Sequence, residues 1–238
     1  MYGYAADSMK WPPPRRRIPG EFGRESMPIV ISGVARALKT TLLRRRGGSD
    51  VRRWTNATNL DASWNERTEL LAQWIAPGSR VMEFGAGSRF LSAVLPPRCA
   101  YIASDLIDRG GATFVCDLNA PVLPQFPAHD VAVFGGVLEY VHDVARLVRH
   151  LAPSTAAVLA SYAVVTSSQR SAYERRRHGW VNDFDELSLR HLFALHGYHC
   201  SAARDWREQR LFLFEQPHRS RAEDVRDRGS HRGARSTG

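Results

Sequence analysis

The sequence predicts an α/β fold: a mainly parallel β-sheet with helices on both faces. Three observations predict it. Strand-length apolar segments alternate with segments of helical period from residue 61 onward. Successive strand-like segments end in carboxylates or glycines, as they do where a parallel sheet carries a ligand on its carboxyl edge. Two β-rich runs, 198–206 and 210–215, close the pattern and lie near enough in sequence to pair antiparallel.

Each element has its own signal. Residues 1–25 are basic and Pro/Arg-rich. Pro12-Pro13-Pro14 runs into Arg15-Arg16-Arg17, a stiff charged stretch expected to remain disordered. Residues 26–60 are expected to form a helical extension. Within 28–46, Ile31, Val34, Ala35, Leu38 and Leu42 recur at helical spacing, and the pattern ends in Arg44-Arg45-Arg46 before Gly47-Gly48. Gly33 weakens that helix. Its stripe suits either its own domain or peripheral contact with a membrane surface, and packing on its own domain is the expectation. The main domain is placed at 61–215. Ser63 and Glu66 have capping-box spacing before Leu70, Leu71, Trp74 and Ile75. Strands are expected at 80–84, 101–105, 113–116, 130–134 and 156–162. Helices are expected at 89–95 and 144–151, and another from Asp183-Phe184-Asp185-Glu186 to Gly197. Only seven residues, 106–112, separate the second and third strands, too few for a helical crossover. Residues 216–238 hold almost nothing apolar and read as a basic disordered tail.

Composition narrows the function. The chain has 238 residues, 43% hydrophobic, enough for a core. Its net charge of +9 invites a nucleic-acid reading, but the charge lies at the ends. Residues 1–54 carry twelve Lys/Arg against four Asp/Glu, and 216–238 carry six against three. Residues 55–215 carry fifteen against seventeen, so the core is slightly acidic. Nucleic acid is therefore a poor candidate partner, reachable only through the basic termini. No apolar run approaches ~18 residues, which argues against a spanning helix. Met1 to Arg17 lacks the apolar core of a signal peptide, and Cys99, Cys116 and Cys200 form neither a disulfide framework nor a metal motif. A cytoplasmic protein without a metal site is expected.

The strand ends carry the chemistry. The first ends in Glu83-Phe84-Gly85-Ala86-Gly87, where glycines permit a sharp turn and close backbone approach to a ligand. The second ends in Asp105-Leu106, a carboxylate able to accept from ribose hydroxyls. The third ends in Cys116-Asp117-Leu118, an acceptor for an exocyclic amine beside an apolar contact for a base. The fourth ends in Gly135-Gly136-Val137, small residues that admit a ligand before a helix start.

With these four strand ends in order, residues 60–215 resemble the class I S-adenosylmethionine-dependent methyltransferases, small-molecule branch. Glu83-Phe84-Gly85-Ala86-Gly87 is similar to that family's first motif, Asp105 to its ribose acid and Cys116-Asp117-Leu118 to its adenine-side segment. Val137 to Asp143 resembles its Leu-Glu-His-Val-x-Asp stretch, and 179–184 with Phe193 and Gly197-Tyr198 its late helix and final hairpin. The resemblance implies a Rossmann-like seven-stranded sheet with an antiparallel final strand. It also implies S-adenosylmethionine as cofactor, S-adenosylhomocysteine as product, and a small-molecule or glycan-type acceptor. Arg89 stands where the family often has a third glycine, and Tyr140 where it has histidine. Substrate candidates are Tyr140, His142, Tyr162, His178 and Trp180, with His142, His178 and Tyr162 as conceivable bases. No catalytic residue is assigned. Arg175-Arg176-Arg177 suits an anionic substrate or a solvated charge run equally. Two other functions compete: a methyltransferase-like scaffold without turnover, and a nicotinamide-dependent oxidoreductase, which lacks support from a third glycine.

Overall fold

The computed structural model describes residues 26–165 and 170–217. The expectations for residues 1–25 and for 218–238 lie outside those described. Seven strands form one sheet in the order β3-β2-β1-β4-β5-β7-β6. They are β1 (Arg80–Phe84), β2 (Ala100–Asp105), β3 (Phe114–Val115), β4 (Val131–Gly135), β5 (Ala157–Tyr162), β6 (His199–Trp206) and β7 (Gln209–Glu215). β1 to β5 pair in parallel, and β7 inserts antiparallel between β5 and β6. The expected sheet and its antiparallel final strand are both present.

The period of two along each strand divides the core. Met82, Phe84, Ala132, Phe134, Val158, Ala160, Phe212 and Phe214 fill one face, under Leu147, Leu151, Leu189 and Phe193. Val81, Val131, Val133, Leu159 and Leu211 fill the other, under Leu71, Ile75 and Leu91. The helices, in chain order, are α1 (Ser26–Arg46), α2 (Val51–Thr55), α3 (Asn65–Ala72), α4 (Leu91–Val94), α5 (Val144–Leu151), α6 (Ala172–Arg177) and α7 (Glu186–Ala194). In α5, Val144, Leu147, Val148 and Leu151 recur at i, i+3, i+4 and i+7 and are buried, and Asp143 caps its start by accepting from Arg146 N at 2.8 Å. No helix among the described residues is long and apolar enough to cross a membrane.

Four local expectations change. The Ser63–Glu66 capping box does not form. Asp61 instead accepts from Ser63 N at 2.8 Å to start a short 3-10 turn, and Glu66 accepts from Trp206 Nε1 at 2.9 Å across the fold. α3 stops at Ala72, with Trp74 and Ile75 in the turn that follows. The third strand shrinks to two residues, paired with Ser104 and Asp105. The 164–182 stretch contains an unexpected helix, α6, opened by a capping box of Ser171 and Glu174.

Arg89 and the short β2–β3 connection explain each other. Arg89 sits at φ 61, the left-handed region usually left to glycine, at a cost of ~1–2 kcal/mol. Its guanidinium donates to the Gly110 and Gly111 carbonyls and to Thr113 Oγ1. The β2–β3 connection has no helix, so Arg89 braces that loop from the opposite side of the β1 turn.

Candidate active site

A cavity of about 600 Å³ lies over the carboxyl ends of β1, β2 and β4, within the range that holds drug-sized ligands. Glu83, Phe84, Gly85, Ala86, Gly87, Asp105, Leu106, Cys116, Asp117, Leu118, Gly135, Gly136 and Val137 all line it. The register explains the convergence: Glu83 and Phe84 lie beside Ala103 and Ser104 of β2 and beside Val133 and Phe134 of β4. The strands therefore end at one level.

The β1 turn depends on missing side chains. Gly85 has φ 64, and a Cβ there would fall 2.6 Å from Val137 Cγ2. Any substitution closes the gap between the first and fourth strand ends. Gly87 N donates to Asp105 Oδ2 at 3.0 Å, tying the turn to β2. That same oxygen accepts from Arg109 Nε at 2.8 Å, while Arg109 Nη2 donates to Trp54 O at 2.9 Å. The acid expected to meet ribose is thus already paired within the chain.

Two further ionisable groups face the cavity. Glu83 is 7% exposed and accepts from Tyr101 Oη; burial pushes its carboxyl up to about 8, against the pull of that hydrogen bond and of Arg67. Arg67, on α3, is 6% exposed, with its guanidinium carbon 5.5 Å from the Trp64 ring and 5.6 Å from that of Trp206. It donates from Nη2 to Gly135 O at 2.8 Å and from Nη1 to Gln209 Oε1 at 3.0 Å, leaving buried Nε without a hydrogen-bond partner among the described residues. Gln209 Nε2 donates in turn to Oε1 of the fully buried Glu139 at 2.9 Å. Burial lowers the Arg67 pKa and raises that of Glu139, and the charge of each opposes the other's shift. Burial also pushes the Cys116 thiol up to about 11, so it serves as a neutral wall.

The substrate candidates fare differently. Tyr140 lines the cavity, with its ring edge-on to Trp54 at 5.1 Å and its hydroxyl donating to His178 O at 3.3 Å. Burial raises its pKa, so the phenol stays neutral. His142, Tyr162, His178 and Trp180 do not line the cavity. The His142 ring meets Gly48 O at 3.0 Å and holds the segment after α1. Tyr162 is fully buried; it donates to Asn182 Oδ1 at 2.6 Å and accepts from Phe184 N at 2.9 Å. His178 stacks on Trp180 at 5.0 Å and accepts from Arg170. Burial, and then Arg170, lowers its pKa. The arginine run divides: Arg175 and Arg176 are buried and both pair with Asp183, while Arg177 is exposed.

Sequence reasoning missed Arg67, Arg109 and Trp54. Arg67 had a signal, since it shares a helix face with Leu70, Leu71 and Trp74 at i, i+3, i+4 and i+7, where an apolar residue is expected. Arg109 and Trp54 meet only through the fold. Among the described residues no group of three or more His, Cys, Asp or Glu is placed to hold a metal ion.

Comparison with known proteins adds the family. Residues 57–203, more than half of the chain, match the methyltransferase domain family. No curated protein matches the sequence. Among solved structures, a Nostoc punctiforme protein provisionally named an O-methyltransferase is 13% identical, with a TM-score of 0.59 over 79% of this chain and 69% of its own. The mitomycin 7-O-methyltransferase MmcR is 14% identical, with a TM-score of 0.56 over 77% and 68%. CalO1, a methyltransferase in calicheamicin biosynthesis in its SAH-bound form, is 14% identical, with a TM-score of 0.52 over 78% and 68%. At these identities the likeness establishes the fold. The family match goes further: the chain belongs to the methyltransferase domain family.

Proposed function

We propose that this methyltransferase uses S-adenosylmethionine and acts on a small-molecule or glycan-type acceptor. One observation carries the reading: all thirteen residues expected at the cofactor line a single cavity at the strand ends. The SAH-bound form of CalO1, on the same fold, supports it. A soluble cytoplasmic location is inferred with it, consistent with three free cysteines.

The donor set fits the cofactor. Arg67, buried and with an unpartnered Nε, suits a carboxylate; Glu83 suits an ammonium. Gly85 and Gly87 leave room that a Cβ would fill. Asp105 suits the ribose hydroxyls through whatever acceptor capacity Gly87 N and Arg109 leave free. Cys116, Asp117 and Leu118 suit the adenine side. When bound, the cofactor supplies a methyl group already activated on a sulfonium.

The remaining work falls to this chain's walls. Leu43, Trp54, Tyr140, Gly179 and Val181 line the other part of the cavity, a mainly apolar and aromatic surface that orients an acceptor and excludes water. Alignment of this kind contributes up to ~7–11 kcal/mol to a bimolecular step. No histidine lines the cavity among the described residues, so the reading favours acceptors that need no imidazole base.

Calorimetry with S-adenosylmethionine and S-adenosylhomocysteine tests the cofactor. Micromolar binding is expected, and Asp105→Ala should weaken it at least ~10-fold. No binding up to millimolar ligand would overturn the assignment. Labelled methyl transfer into metabolite and glycan pools tests turnover; binding with no transfer would favour the scaffold reading.

A further inference from the structure

Three large apolar residues of α1, Val34, Leu38 and Leu42, lie on its outside. The helix turns Gly33, Ala37 and Thr40 toward the fold, where α1 packs on α6. A Cβ at Gly33 would lie 3.0 Å from Arg177 Nε, a tight contact with side chains of α6. Val34, Leu38 and Leu42, at i, i+4 and i+8, remain 43%, 65% and 46% exposed. Tyr173 of α6, 46% exposed, extends the patch across a shallow groove between the helices. Surface helices ordinarily do the reverse, burying the large residues and exposing the small.

Charge selects what covers this strip. α1 carries Arg36, Lys39, Arg44, Arg45 and Arg46 and no Asp or Glu. By helical spacing Arg45 continues the strip itself, and Lys39 and Arg46, seven residues apart, form the row beside it. Lys39 pairs with Asp50 at 2.6 Å and Arg44 approaches Asp183 at 3.8 Å. Arg36, Arg45 and Arg46 are exposed and make no ion pair among the described residues. A second copy seated on the strip would bring Arg36, Arg45 and Arg46 of one helix near the same three cations of the other, with no acid on either helix. An aliphatic strip bordered by cations matches a surface that is apolar within and anionic at its rim.

We propose that α1 is an interfacial helix that seats the protein on an anionic lipid bilayer. Val34, Leu38 and Leu42 enter the headgroup–acyl boundary, and Arg45 and Arg46 meet the phosphates. The seat is continuous with the site. Leu43 and Gly48, Ser49 and Asp50, which directly follow the strip, line the cavity.

Flotation of the full chain with vesicles tests this. Binding is expected to phosphatidylcholine vesicles containing phosphatidylserine and not to phosphatidylcholine alone. Because Val34 and Leu38 are exposed, the double variant Val34→Glu, Leu38→Glu should keep the wild-type melting temperature and S-adenosylhomocysteine affinity. Its vesicle partitioning should fall about tenfold or more. Three results would overturn the proposal. The wild type fails to float with anionic vesicles; the double variant floats equally well, so that charge alone suffices; or light scattering finds a dimer that the double variant dissociates, so that the strip belongs to a second copy. Cofactor binding is read separately, so failure here leaves the proposed function standing.

Discussion

The two halves of the cavity rest on different supports. The cofactor half is made of strand ends, and there every residue singled out from the sequence lines the cavity. The half proposed for the acceptor is built from α1, α2 and the segments that follow β4 and α6, and of the five candidates there only Tyr140 lines it. The difference lies in what positions each side chain. Parallel register between β1, β2 and β4 fixes a strand end within a few residues of local sequence. The segment after β5 is positioned by distant partners. Arg175 donates to Asp183 at 2.7 Å and to Ala163 O at 2.8 Å, and Asn182 Nδ2 to both Leu138 O and Val141 O at 2.7 Å. That network draws Tyr162 into the core as a strut.

Three experiments press on this contrast, in falling order of effect. Arg67→Met should cost S-adenosylhomocysteine ~10–100-fold in affinity, the scale of a hydrogen bond to a charged group. 5′-Methylthioadenosine, which lacks the amino-acid end, should bind variant and wild type alike; equal losses for both ligands would make Arg67 a general brace. Glu83 should leave a pH signature. Its carboxyl ionises near 4.5 when unfolded and about 8 in the fold, so the native state holds the extra proton between those values. Its stabilising contribution is full below about 4.5 and declines as pH rises to about 8, by up to ~1.4 kcal/mol per pH unit. Glu83→Gln should flatten that decline in denaturant titrations, with buried Glu139, shifted the same way, retaining its share. The acceptor side should respond least in cofactor affinity. Tyr162→Phe is expected to cost ~1–3 kcal/mol of stability, and His178→Ala less, while S-adenosylhomocysteine binding stays within about twofold. A large loss of affinity in either would erase the distinction between the halves.

Legibility follows the same line. The alternation of strands and helices, the antiparallel closing pair and the glycine turn are encoded in windows of a few residues, and they read directly. Arg89 and the short β2–β3 connection were each visible as anomalies, but their union needs the fold that brings residue 89 to residues 110–113. Arg109 carried no local signal, because Asp105 and Trp54 O converge on it only in space. α6 was hidden because its arginines read equally as an anionic-substrate site or a solvated run, whereas Asp183 and the Ala163 and Asn182 carbonyls give Arg175 and Arg176 buried partners.

Gln209 has a bearing on when the cavity becomes usable. Its one amide joins α3 to Glu139 through Arg67, and it opens the strand that slots between β5 and β6. A nascent chain halted before residue 209 already contains the glycine turn, Asp105 and the small residues after β4. It lacks the amide that joins Arg67 to Glu139. On the role proposed for Arg67, a ligand that needs its guanidinium would discriminate finished molecules from those still being made.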